Sequence, residues 1–139
     1  MLLMLEDNAD RVQRFGAALH SVDPLLKLKV WRNAWTMIRE LDKFLPKARL
    51  ISLDHDLDPE EGDSSDPGCG WDLTKVLAHQ SPVCPVVIHS SNGERATWMC
   101  GEFELGGWAW KCVAPLGDDW IEQHWRRTVR RLLRRRSES

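Results

Sequence analysis

Five apolar runs of strand length alternate with segments whose apolar residues recur at helical spacing, and no other feature constrains the fold as tightly. The runs are MLLML (1–5), LKLKVW (26–31), RLISLD (49–54), PVVIHS (85–90) and WAWKC (108–112). Between them, Val12, Phe15, Ala18 and Leu19 trace a first helix, with Asp7, Asn8 or Asp10 available to cap it. Ala34, Met37, Ile38 and Leu41 trace a second, closed by Pro46. Trp71, Leu73, Thr74, Val76 and Leu77 belong to a third, ending near Gln80-Ser81-Pro82. A short fourth helix covers 93–104, Gly106-Gly107 turns the chain, and a last helix runs over 119–135 behind Asp118 or Asp119. Strict strand–helix alternation requires crossover connections, so it predicts an α/β fold: a doubly wound parallel sheet with helices on both faces. LKLKVW alternates apolar and polar residues like an edge strand, whereas RLISLD is apolar enough to be buried on both faces.

In such sheets ligands bind beyond the carboxyl ends of the strands. The residues that follow the first, third and fourth runs are Glu6-Asp7, Asp54-His55-Asp56 and His89-Ser90-Ser91-Asn92. The richest polar chemistry of the chain therefore falls on the expected edge. Clustered carboxylates repel, and each is harder to ionise unless a cation sits among them. Glu6, Asp7 and Asp54 are hard oxygen ligands that suit Mg²⁺ or another divalent cation, which also accepts waters and a phosphate oxygen. Ser90 would lie beside such a phosphate as a hydrogen-bond donor.

At 139 residues the chain fits one domain, 1–139, ending in an Arg-rich helix. The net charge of -2 indicates no overall preference for nucleic acid or membrane, but the charge is unevenly spread. Seven acidic residues and no Lys or Arg lie between Asp54 and Asp66, and seven arginines lie in RRTVRRLLRRR, Arg126 to Arg136. Cys69, Cys84, Cys100 and Cys112 show no zinc spacing, which predicts reduced thiols; Cys84 and Cys112, in apolar runs, read as buried hydrophobes. MLLML lacks a basic leader and meets Glu6-Asp7 at once, so it does not read as a signal peptide. No apolar run approaches the ~20 residues of a membrane span. A cytoplasmic protein without membrane contact is expected.

The stretch MLLMLEDNADRVQRF resembles the start of bacterial response-regulator receiver domains, with an acidic pair closing the first strand. Asp54 falls at the receiver's phospho-accepting position, Ser90 at its switch Ser/Thr position, and Gly70 where a receiver glycine follows the phosphorylation loop. The resemblance spans nearly the whole chain and implies the flavodoxin-like strand order 2-1-3-4-5. Receivers also carry a lysine directly before a proline after the fifth strand. Here Ala114 precedes Pro115, and Lys111 lies three positions earlier, on the opposite face of a regular strand. Asp54-His55-Asp56 and His89-Ser90-Ser91-Asn92 are similar instead to the Asp-His-Asp and His-Ser-x-Asn of the cyclic-phosphate processing receiver family.

That resemblance implies processing of a cyclic phosphate on a nucleotide, another small molecule or an RNA end. Water would attack phosphorus beside the cation while a histidine protonates the departing alkoxide. It implies Glu6, Asp7, Asp54 and the Asp56 carbonyl or carboxylate on the cation, and His89, with His55 second, as acid or base beside Asp54. Ser90 and Asn92 would bind the phosphate. A stand-alone receiver phosphorylated on Asp54 for two-component signalling, or a non-catalytic interaction module, are the alternatives. Plainer roles compete residue by residue. Asp7 and Asn92 can be helix caps, His55 alternates away from Asp54 if the strand persists, and the loop from 57 to 68 reads as solvated. Trp71, Trp98 and Trp110 read as core or pocket wall; Trp108 and Trp110 share a face that packs in the core or stacks on a base. On the last helix Val129, Leu132 and Leu133 face inward, and the outward arginines are either a solvated face or an RNA contact.

Overall fold

A computed structural model describes residues 1–138, with side chains through residue 135; Ser139 and the side chain of Arg136 lie outside the described residues. Five parallel strands, β1 (Leu2–Leu5), β2 (Leu28–Trp31), β3 (Leu50–Leu53), β4 (Val86–Ile88) and β5 (Trp110–Cys112), pair in the order β2-β1-β3-β4-β5. The helices are α1 (Ala9–Val22), α2 (Ala34–Phe44), α3 (Gly70–Leu77), α4 (Gly93–Leu105) and α5 (Arg126–Glu138). This is the doubly wound sheet expected from the alternation of runs, in the order that the resemblance to receivers implies.

Period-two alternation splits the core into two layers. Leu3, Leu5, Ile51, Leu53, Val86 and Ile88 pack with α2, α3 and α4. Leu2, Met4, Leu50 and Val87 pack on the other face with Phe15 and Leu19 of α1 and with Trp125 and Val129. Asparagine caps start the helices where the chain leaves a strand: Asn8 Oδ1 accepts the Arg11 N–H at 2.9 Å, and Asn33 and Asn92 do the same for α2 and α4. Asn8, rather than Asp7 or Asp10, is thus the cap of α1.

Several boundaries differ from the sequence reading. β5 begins at Trp110, because Trp108 turns into the core and hydrogen-bonds the Gln80 carbonyl through its indole N–H at 3.2 Å. The last helix opens with a π-helical turn, Ile121–Trp125, and neither Asp118 nor Asp119 caps it by side chain. That wider turn brings both Ile121 and Trp125 into the core. Cys112 is exposed, not buried, because it lies on the outer strand of the sheet. Trp98 is also exposed, at 41%: the buried stripe of α4 runs through Ala96, Met99, Cys100 and Phe103, and position 98 falls off it. Trp71 and Trp110 are partly buried against the core, and Trp108 is inside it.

Gly70 starts α3 directly against the end of β3, donating its N–H to the His55 carbonyl at 2.8 Å. A Cβ there would collide with the Asp54 carbonyl oxygen and approach the His55 Cα to 2.9 Å. Gly70→Ala should therefore destabilise the chain by about 1–3 kcal/mol, read as a lowered urea midpoint with unchanged slope. An unshifted midpoint would show that α3 can back away from β3 at no cost.

Candidate metal centre

The register of the sheet builds the site. Leu5, Leu53 and Ile88 are paired neighbours on β1, β3 and β4, so the next rung is Glu6, Asp54 and His89. All three turn to the face of α1 and α5, following Met4, Ser52 and Val87. Asp7 joins them from the β1–α1 turn. One carboxylate oxygen each from Glu6, Asp7 and Asp54 lies within 4.8 Å of the others. The first and third crossings of the sheet thus bring the expected carboxylates to one rim.

Glu6 is fully buried. Its Oε2 accepts the N–H groups of Asp7 and Asn8, both at 3.1 Å, and its Oε1 lies 3.1 Å from His89 Nε2. Burial pushes this carboxyl up, but the His89 hydrogen bond and the Asn8 amide outweigh it and hold Glu6 below the usual carboxylate range. Burial also pushes the His89 imidazole down. One protonation state meets both directions. Trp125 donates its indole N–H to Ser52 Oγ at 3.0 Å, so the Ser52 hydroxyl proton is free to bond His89 Nδ1 at 2.7 Å. Nδ1 then accepts, the proton sits on Nε2, and neutral His89 donates to ionised Glu6. Phe15 and Trp120, with ring centroids 4.8 and 6.2 Å from that of His89, wall the imidazole off.

This geometry corrects the expected role of His89. With no exposed surface and both ring nitrogens engaged, it faces neither a substrate nor the cavity; it holds Glu6 in place. His55 lies at the parity of Leu53, on the face opposite Asp54, and is buried. Its Nδ1 is 2.7 Å from Asp56 Oδ1. Asp56 itself is exposed, and its carboxylate stands outside the three-carboxylate cluster. Ser90 Oγ accepts the Asn92 N–H at 3.1 Å, and Asn92 caps α4, so both are engaged in shaping the β4–α4 turn. Ser90 faces the apolar space between α4 and β5; its neighbour Ser91 faces the acidic cavity.

That cavity has a volume of about 500 Å³, and its walls include Asp7, Asp54, Asp56, Asp58, Arg11 and Arg32. Asp7 Oδ2 accepts the Asp58 N–H at 2.6 Å, which ties the acidic loop over the site. Arg11 reaches to 3.9 Å from Glu6 Oε1 and lies over the Trp120 ring, while Arg32 pairs with Glu60 at 3.7 Å. The sequence reading gives Arg11 and Arg32 no role and names Ser91 only within the run that follows β4. Arg32 follows the last residue of β2, so the strand-end rule applied to that strand also finds it. Lys111 is exposed on β5 and does not line the cavity.

The three carboxylates are a hard-oxygen donor set of the kind Mg²⁺ and Mn²⁺ take. Their electrostatics fit a cation as well: burial and then the Glu6 charge push Asp54 up to about 8, and burial raises Asp7 too. A divalent charge among them would reverse both shifts.

The sequence matches the model of a cyclic-phosphate processing receiver domain over residues 1–104. None of the curated proteins matches the chain. Among solved structures, the signal receiver domain of a Luxo repressor protein from Vibrio parahaemolyticus superimposes with a TM-score of 0.67 at 16% identity, covering 96% of this chain and 89% of that one. A response regulator receiver domain from Rhodospirillum rubrum gives 0.66 at 18% identity, over 99% and 94%. The Mn²⁺-bound form of response regulator Rcp1 gives 0.52 at 12% identity, over 87% and 86%. At these identities the structures establish the receiver fold. No helix among the described residues is long and apolar enough to cross a membrane.

Two substitutions on the same face of β3 should act in opposite directions. The folded pKa of Asp54 lies above its unfolded value of 3.8, so the folded state holds an extra proton between about pH 4 and pH 8. Stability of the ion-free chain should fall as pH rises through that window. In chelator at pH 8, Asp54→Asn should be more stable than the parent by more than about 1.4 kcal/mol, the equivalent of one pKa unit, with the gap shrinking at pH 5. Ser52→Ala strands the Trp125 N–H and His89 Nδ1 and should cost about 1–3 kcal/mol at either pH. Urea titrations at both pH values measure all four differences; a destabilised Asp54→Asn at pH 8 would refute the repulsion.

Proposed function

The chain belongs to the cyclic-phosphate processing receiver family, and from that premise we propose that its acidic cavity hydrolyses a cyclic phosphate with the help of a divalent cation. The carrying observation is the sign of charge on the walls. Four aspartates line the same space as two arginines, Arg11 and Arg32, so the cavity suits a cation and a phosphate together. Glu6, Asp7 and Asp54 would hold the cation, and the Mn²⁺-bound Rcp1 offers a precedent for such an ion in this fold. A bound divalent ion supplies charge neutralisation and polarises the phosphorus–oxygen bonds.

The remaining work falls to this chain's own side chains. Arg11 and Arg32 carry planar donor forks suited to the non-bridging phosphate oxygens, with the Ser91 hydroxyl beside them. Asp56, on the wall and hydrogen-bonded to His55 Nδ1, is the acid–base group that takes a proton from the attacking water and returns one to the opened ring oxygen. His55 orients that carboxylate. His89 acts one layer deeper, by fixing Glu6. Ser90 and Asn92 set the turn that carries Ser91. The exposed arginines of α5, among them Arg127, Arg131 and Arg134, would add affinity for an RNA end over a free nucleotide.

A second reading, a signalling receiver phosphorylated on Asp54, draws on the shared fold and on the place of Asp54 at the end of β3. It lacks the lysine neutraliser, since Lys111 stays outside the cavity. One set of assays separates the two. A 2′,3′-cyclic nucleotide with Mg²⁺ or Mn²⁺ should be opened to a monoester, with loss of at least about 100-fold in Asp54→Asn and Asp56→Asn. Arg11→Ala should raise KM about tenfold or more. A stable phosphoryl adduct on Asp54 from acetyl phosphate, without turnover of any cyclic phosphate, would transfer the case to signalling.

A further inference from the structure

Away from the acidic cavity, two thiols meet. Cys100, buried on α4, and Cys112, exposed at the end of β5, have their sulfurs 2.7 Å apart across twelve residues of chain. The approach to the ~2.05 Å of a disulfide bond needs a shift of well under 1 Å. Cys112 lines two spaces at once. On one side is a mostly apolar gap of about 280 Å³ between α4 and β5, which also touches Ser90, Thr97 and Cys100. On the other is an open cleft of about 320 Å³ walled by His124, Arg127, Thr128 and Arg131. One sulfur is therefore reachable from a cationic cleft and backed by a second, protected sulfur.

We propose that Cys100 and Cys112 form a redox pair, oxidised to a disulfide by a small, carboxylate-bearing disulfide that docks in the cleft of Arg127 and Arg131. The two sulfurs are unequal in the direction this requires. Cys112 is exposed where an incoming disulfide can reach it, whereas Cys100 is buried behind it, and the neighbouring sulfur together with burial pushes the Cys100 thiol up. Cys112 thiolate attacks one sulfur of the incoming disulfide, forming a mixed disulfide and releasing one thiolate. Cys100 then gives up its proton to that thiolate and attacks the Cys112 sulfur, expelling the second thiol equivalent. The protein loses two hydrogens, and one small disulfide becomes two small thiols. The bridge ties α4 to the outer strand beside the gap that Ser90 also lines.

The full chain, incubated with increasing oxidised glutathione, should drop from four titratable thiols to two, and peptide mapping should recover Cys100 joined to Cys112. Cys100→Ser should halt at a stable glutathione adduct on Cys112, whereas Cys112→Ser should keep its remaining thiols. Paired Arg127→Glu and Arg131→Glu should slow the reaction roughly tenfold with glutathione disulfide, yet leave it unchanged with the neutral bis(2-hydroxyethyl) disulfide. Cys69→Ser and Cys84→Ser report that oxidation does not run through the other cysteines. Four thiols persisting under conditions that oxidise free dithiothreitol, a bridge involving Cys69 or Cys84, or an equal effect of the charge reversals on both disulfides would each overturn the proposal.

Discussion

The arrangement depends on keeping one carboxylate ionised where water does not reach it. Glu6 has no exposed surface, and an isolated charge there would be prohibitively costly. Three donors offset that cost, from two parts of the fold: the amides of Asp7 and Asn8 in the β1–α1 turn, and the His89 ring just past the end of β4. His89 is in turn held by Ser52 on β3, and Ser52 by Trp125 from the turn before α5. The chain of hydrogen bonds therefore fastens the first strand, the two central strands and the C-terminal helical segment to one negative charge. Each link has its donor and acceptor assigned without a spare proton, which gives the network a single low-energy form.

The same network explains why the fold was legible in the sequence and the histidines were not. The parallel sheet and its two helical layers follow from apolar periodicity, because MLLML, LIS and VVI can satisfy their backbones and bury both faces only in the centre of a parallel sheet, while the strand order follows from the resemblance to receivers. Glu6, Asp7 and Asp54 follow from the strand-end rule, which requires only the order of elements. His55 and His89 lie one or two residues past their strands, where side-chain direction depends on whether the ladder persists. A single-residue change in register moves an imidazole from one face to the other. Sequence spacing does not encode that choice. The partners that decide it, Ser52 and Trp125, are 73 residues apart and look like ordinary core positions in their own segments.

The arginines of the cavity escaped notice for a different reason. Arg11 lies on the first turn of α1 among other polar residues, and Arg32 follows a strand whose edge character drew attention to its lysines instead. Neither position has a local signature. Both acquire meaning only from what they share space with, and the same is true of Cys112, whose apolar neighbours in sequence predicted burial that an outer strand does not provide.

Counted by formal charge, the four aspartates and two arginines around the acidic cavity leave two negative charges in excess. A divalent cation would cancel that excess, and it would do so next to Asp54, the carboxyl that burial and Glu6 push furthest from its ordinary range. With the carboxylates occupied in this way, Arg11, 3.9 Å from Glu6 Oε1, would have more of its attraction free for an incoming phosphate. Binding of the cation and of the anion would then reinforce each other by ordinary electrostatics, with no movement of the backbone. A receiver fold with a lysine at its rim neutralises a phosphoryl group after it has formed on the aspartate. Here Lys111 stays outside the cavity, and Arg11 and Arg32 line it together with the aspartates, an arrangement that would suit a phosphate arriving from solution.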